Sequence, residues 1–194
     1  PLDAVDQLER LVHRSLVAVG PSVGARSTFR LLESVRDFAA ARMASVGATQ
    51  AAHVRHYVEL VEHLDAELQT PRLDAAVEQL RAAWPNVRAA VRCAAEAGYV
   101  SSVRRIIAAV AQYADLFAVH EVGEWCLLAD LDGDVGDDAR PGLAAEVASI
   151  RARGLAHQGR LGEATPLAET AMALHESHAT VLSEVWCAYY SGDL

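Results

Sequence analysis

Lysine is absent from this chain, and all 17 basic residues are arginine. Within these residues that excludes a phosphate loop with its lysine, a Schiff-base lysine and a lysine general base; a GC-rich genome would produce the same bias. Basic charge is also outnumbered. The formal net charge is −9, which argues against a broad phosphate-binding surface, because nonspecific nucleic-acid affinity comes from clustered cations. Cysteine is sparse: Cys93, Cys126 and Cys187 are odd in number, far apart, and each sits in an apolar helical pattern. They read as reduced core residues of a cytoplasmic protein rather than a disulfide framework or a metal site. Long apolar runs are missing as well. The longest, Ile106 to Val119, is interrupted by Gln112 and Asp115 and falls short of the roughly 20 residues a bilayer span requires. No secretory signal or membrane anchor is visible.

What remains is a chain of 194 residues, 52% hydrophobic and 22% charged, enough to bury one sizeable core or two small ones. Leu2, Val5, Leu8, Leu11 and Val12 fall at helical spacing, with Asp3, Asp6, Glu9 and Arg10 opposite. A short β-branched run, Ser15 to Val19, a turn at Gly20 to Gly24 and a second extended run, Thr28 to Leu31, predict a two-stranded hairpin. From Leu32 a helix carries Val35, Phe38, Ala39 and Met43 inward, with Gly47 as its stop. Helix, hairpin and helix make the back half of a winged helix-turn-helix. After Thr49 the pattern is helical throughout: 51–68, 73–97, 101–118, 122–131, 143–158, 162–177 and 180–190. The expected division is therefore a C-terminal part of a winged-helix module over residues 1–48 and a helical repeat domain over 50–194.

A repeat supports the solenoid. His157-Gln158-Gly159-Arg160-Leu161 returns 33 residues later as Tyr190-Ser191-Gly192-Asp193-Leu194, and periods in the low thirties mark stacked helix-turn-helix units. After Gly159, Ala164, Leu167, Ala168, Ala171 and Leu174 supply a partner helix; after Gly192 only two residues follow. The apolar face on 179–190 thus lacks a cover of its own, and together with the absence of an initiator Met before Pro1 this leads us to expect a segment of a longer protein.

Four segments carry a family resemblance: Leu2-Asp3-Ala4-Val5-Asp6-Gln7-Leu8 through Ser15-Leu16-Val17, Phe29-Arg30-Leu31-Leu32-Glu33-Ser34-Val35-Arg36-Asp37-Phe38-Ala39, Arg55-His56-Tyr57, and Asn86-Val87-Arg88-Ala89-Ala90. On these the chain resembles, over nearly its whole length, the region that follows the nucleotide-binding domain in bacterial signal-transducing ATPases of the NB-ARC or LuxR-like regulator type. The resemblance implies a mainly α fold: a partial winged helix with a two-stranded hairpin, then a tetratricopeptide-like α-helical solenoid. It also implies an upstream ATPase domain as partner and an inducer, protein or small molecule, on the repeats. No phosphate loop or acidic magnesium-binding strand lies within these residues, so no cofactor is assigned to them. Arg151 and Ala152 stand where the tetratricopeptide pattern favours Leu and Gly.

Several constellations suggest chemistry and fail on spacing. Gly20-Pro21-Ser22-Val23-Gly24 fits a nucleophile elbow, but an elbow needs strands before it and an acid and a histidine on later strands; Pro and Gly suit a hairpin tip equally. The same stretch is one glycine spacing short of a phosphate loop and carries Arg26 where lysine is required. His175-Glu176-Ser177-His178 places its second histidine one residue too early for a zinc helix. His53, His56 and His63 lie on one predicted helix with Glu59 and Glu62, which reads better as a solvated face than as a metal site. Asp130, Asp132 and Asp134 begin like a calcium loop, but the glycine and glutamate such a loop needs are Val135 and Pro141. Among binding residues, Arg10, Arg14, Arg26 and Arg30 sit on the helix and hairpin that would face DNA in a DNA-reading winged helix, although Asp3, Asp6 and Glu9 share that helix. Trp84, Trp125 and Trp186 are candidates for the concave surface of the repeats, against a core reading. The sequence thus points to a non-enzymatic regulatory and protein-interaction segment, with a DNA-binding module carrying a helical dimerisation arm as the alternative.

Overall fold

The computed structural model describes residues 3–20, 27–42, 46–129, 142–174 and 178–192. The chain divides into two compact units, Pro1–Thr49 and Gln50–Leu194.

In the first unit α1 (Ala4–His13) places Asp6 in its first turn and Arg10 and His13 in its last, charges that complement the helix dipole. Its end closes where Ser15 adopts a left-handed φ of 57°, letting the Leu16 amide reach back to the Leu11 carbonyl at 3.0 Å. The chain then turns into β1 (Val17–Val19), antiparallel to β2 (Phe29–Leu31) with Val17 opposite Leu31 and Val19 opposite Phe29. α2 (Glu33–Ala40) follows. Little of this unit is interior: Val17 is its one buried residue among those described, and Val5, Phe29, Leu32 and Phe38 are exposed.

The long α3 (Val46–Leu68) corrects the expectation that Gly47 ends a helix. Gly47 stands in the opening turn of α3, where its missing Cβ costs little, and α2 has already closed at Ala40.

Among its described residues the second unit consists of helices joined by turns. α4 (Leu73–Glu96), α5 (Val100–Phe117) and α6 (Val119–Trp125) follow, the last continuing into a 3-10 turn, Cys126–Leu128. α7 (Leu143–His157), α8 (Leu161–Leu174) and α9 (His178–Ser191) complete it. Among the described residues the fold is therefore mainly α with one two-stranded antiparallel hairpin.

Helical spacing of Val54, Val58, Val61, Leu64 and Leu68 on α3, of Leu80, Trp84, Val87 and Val91 on α4, and of Val103, Ile106, Ile107 and Val110 on α5 builds one continuous core, which α6 and the start of α7 extend through Val122, Val147 and Ile150. Each fully buried aliphatic side chain contributes on the order of 1.5–3 kcal/mol. Polar ties fix the packing: Arg105 donates two hydrogen bonds to Glu62, at 2.8 and 2.7 Å, joining α5 to α3. The buried Arg104 donates to the Ala129 carbonyl at 2.9 Å.

Two helix ends in this unit, those of α4 and α7, share one solution. At Gly98 and Gly159 the backbone turns left-handed, and the following amides return to the carbonyls of Ala94 at 2.8 Å and Leu155 at 3.0 Å. This closure satisfies terminal carbonyls without a side chain.

The C-terminal helices pack through a smaller cluster of mostly small residues, Ala152, Ala156, Ala164, Ala168 and Cys187 with Leu155. Small residues let backbones approach closely. The extreme case is α6 against α7, where a Cβ built on Gly154 would lie 3.2 Å from the Cα of Gly123 and 3.5 Å from the Val119 carbonyl oxygen.

Candidate interaction surface

The cations offered for DNA or partner contact lie in the first unit. Arg10, Arg14 and Arg30 are solvent-exposed, on the last turn of α1, just beyond it and at the centre of β2; Arg26 lies outside the described residues. Among the described residues, carboxylates accompany these cations. Asp6 and Glu9 are exposed on the same helix and Asp3 at its N-cap, and an open depression of about 400 Å³ is lined by Asp6, Glu9, Arg10 and His13 together. Opposite charges at this spacing largely cancel at distances beyond the Debye length, about 10 Å at 0.1 M salt.

The three tryptophans separate into two environments. Trp84 and Trp125 are 7% and 8% exposed and stack on each other at 5.3 Å between ring centroids, with Tyr113 against Trp84 at 4.9 Å. The Trp84 indole N–H donates to Glu121 at 3.0 Å, and the same carboxylate receives both Nη2 (2.8 Å) and Nε of Arg88. Arg88's hydrogen bond holds the Glu121 carboxyl below the usual carboxylate range, with the Trp84 hydrogen bond adding to it against burial. These two indoles are core residues and offer no ring face to a partner. Trp186 differs. It is half-buried, stacks on Tyr190 at 5.7 Å and packs against His157 at 5.0 Å, while Tyr189, 64% exposed, meets both α9 aromatics edge-on.

Beneath this aromatic group lies a polar cluster that sequence reasoning missed. Arg153 of α7 is 1% exposed, and its Nε sits 3.2 Å from Asp115 Oδ1 of α5. Burial raises the Asp115 carboxyl, with the charges of Arg153 and His157 opposing that rise; burial also lowers Arg153, with Asp115 opposing. His157, one turn further along α7, is lowered first by burial and is held 3.1 Å from the Tyr190 hydroxyl through Nδ1. Asp115 was visible in the sequence only as a break in an apolar run, and Arg153 as one arginine among many.

Two of the segments that carried the family resemblance meet in space. Tyr57 of α3 shares a side-chain hydrogen bond with Asn86 of α4, and the burial of Tyr57 raises its phenol against that bond. The rings of His53 and His56 pack on Tyr57 at 4.7 and 5.0 Å, and burial lowers His53. Among the described residues no three His, Cys, Asp or Glu side chains converge on a metal position. Gly20 belongs to the hairpin, its amide donating to the Thr28 carbonyl at 2.8 Å; Ser22, His175 and Asp130, Asp132 and Asp134 lie outside the described residues. No helix among them is long and apolar enough to cross a membrane.

No family model, curated protein or solved structure matches this chain.

Proposed function

We propose that the chain is a non-enzymatic regulatory and protein-interaction segment of a bacterial transcriptional regulator or signalling ATPase. In this reading the first unit is a winged-helix remnant that joins an upstream ATPase domain, and the second is a tetratricopeptide-like helical arm on which an inducer or partner is sensed. Stacked repeats present an extended surface, and a ligand that prefers one arrangement of the parent protein shifts its population toward that state. The observation that carries the reading is the pairing of His157 with Tyr190. They are 33 residues apart and share a side-chain hydrogen bond, and each stands two residues before a glycine with a left-handed backbone, φ 74° at Gly159 and 83° at Gly192. Equivalent positions of successive units in side-by-side contact are what a repeat stack requires.

Deleting residues 50–194 from the full-length regulator and measuring its response to the native signal tests the reading; an unchanged response refutes it. The alternative, a DNA-binding module with a helical dimerisation arm, draws on the exposure of Arg10, Arg14 and Arg30. A gel shift at low salt decides it: absence of retardation at micromolar protein excludes DNA binding by these residues.

A further inference from the structure

The 33-residue register allows α9 to be read position by position against α7. On α7, Ala148, Ala152 and Ala156 are 6%, 0% and 1% exposed, and the last two pack in one cluster with Ala164 and Ala168 of α8. Their counterparts on α9 are Val181, Val185 and Tyr189, which are 37%, 47% and 64% exposed. Spaced four apart, they form one stripe along the helix. The α7 positions Ala152 and Ala156, buried in a cluster with α8, are thus matched on α9 by the open Val185 and Tyr189, while α9's inner face, with Thr180, Ser183 and Cys187, is buried.

Charge specifies what fits there. Arg151 of α7 and Glu163 of α8 line the same groove; the Glu163 carboxyl is held low first by its hydrogen bond from Arg160, and the Arg151 charge adds to that. Thirty-three residues on from Arg151 stands Glu184, exposed, so the sign at that corner is inverted. α9 carries Glu184 and no arginine or lysine. Two α9 stripes facing each other would bring carboxylates to one seam with no cation between them, which disfavours a second copy as the occupant.

We propose that the outer face of α9 receives a partner helix of the α8 kind: alanine-faced at three- and four-residue steps, with an arginine where α8 has Glu163. The inference rests on the repeat reading given above. It names the class of partner, an amphipathic helix with small residues on its apolar face and a cation near its N-terminus, docked in a groove rather than a small molecule in a pocket.

The test uses two fluorescent 14-residue peptides, the sequence Leu161–Leu174 and the same sequence carrying Glu163→Arg, titrated with the intact chain and followed by anisotropy. The arginine peptide binds the wild-type chain about threefold more tightly, the effect of one exposed ion pair, and Glu184→Arg inverts the order. Val185→Arg lowers the affinity for both peptides at least about tenfold by setting a charge in the apolar seam, with circular dichroism showing that helix content is retained. Absence of saturable binding, a preference that Glu184→Arg leaves unchanged, or an affinity indifferent to Val185→Arg overturns the proposal. So does sedimentation showing a dimer that Val185→Arg dissociates, because a second copy would then occupy the stripe. A signal response that still requires residues 50–194 while the peptides fail to bind removes this docking mode alone and leaves the regulatory reading standing.

Discussion

Replacing Asp115 with leucine removes one half of the pair it forms with Arg153. The two groups are 3.2 Å apart, with the arginine side chain 2% and the carboxylate side chain 26% exposed. At an effective dielectric of about 20 the gross attraction at that distance is roughly 5 kcal/mol, but desolvation offsets much of it, as the opposite displacements of the two ionisations by burial indicate. What the substitution exposes is chiefly the cost of withdrawing the Asp115 carboxylate from a buried guanidinium. Removing one partner of a buried pair costs about 3–5 kcal/mol, and the partial exposure of Asp115 places the expectation near about 3 kcal/mol. In a chain of this size each kcal/mol shifts Tm by about 2–4 °C, so thermal unfolding followed by circular dichroism at 222 nm should move down by about 6–12 °C. Arg153→Met, which strands a less buried carboxylate, should cost less. The double variant should be more stable than the sum of the single effects by more than about 1 kcal/mol, since two apolar groups can replace a buried ion pair at little net cost. Additive losses, to within about 0.5 kcal/mol, would show that the two charges do not depend on each other and would refute the argument.

Other expectations follow from particular contacts. Gly154→Ala should destabilise by about 1 kcal/mol although alanine is the better helix former, because its Cβ meets the Gly123 backbone at 3.2 Å; Gly162→Ala, with nothing within 4 Å, should stabilise by up to about 0.5 kcal/mol, and urea unfolding of both variants reads the opposite signs. His53 and His157 both have folded-state ionisations lowered by burial from 6.5, so the unfolded state binds more protons as pH falls below that value. Their contribution is complete above pH 6.5 and is lost as pH drops through the lowered values; Tm should fall between pH 7 and 5, and His157→Gln should flatten the slope. The Cys126 thiol is 1% exposed and pushed up to about 12, so iodoacetamide at pH 8 should label half-buried Cys93 in the native chain and reach Cys126 only after denaturation, which peptide mass mapping would show.

Much of the architecture was legible because it depends on periodicity. The stripe Val54, Val58, Val61, Leu64 on α3 and its counterparts on α4 and α5 predict buried faces without reference to any partner, and the left-handed glycines at 98 and 159 mark helix ends by a local requirement. The hairpin was legible for the same reason, in its β-branched runs. Gly47 was misread because a glycine beside a helix looks alike at either end; which side the helix lies on is decided by packing further along α3. For the tryptophans, helical spacing is shared by core and surface, and only the partners Tyr113 and Glu121, distant in sequence, place Trp84 and Trp125 inside. Arg153 could not be singled out at all. A buried arginine is recognisable only through the group that neutralises it, and Asp115 stands on another helix.

The contact between Gly123 and Gly154 sets a fixed point in the second unit. Where two helices meet through side chains, their separation follows residue volume, and a core substitution can re-aim one against the other. Here the spacing is set by peptide backbone on both sides, so variation in the surrounding core can accumulate without tilting α7. The two positions are consequently unequal: in a saturation scan Gly154, whose added Cβ would stand 3.2 Å from backbone, should reject even alanine, whereas Gly123, where it would stand at 3.5 Å, should accept alanine and reject larger residues, and no enlargement at one can be offset by a reduction at the other, since glycine has nothing left to give.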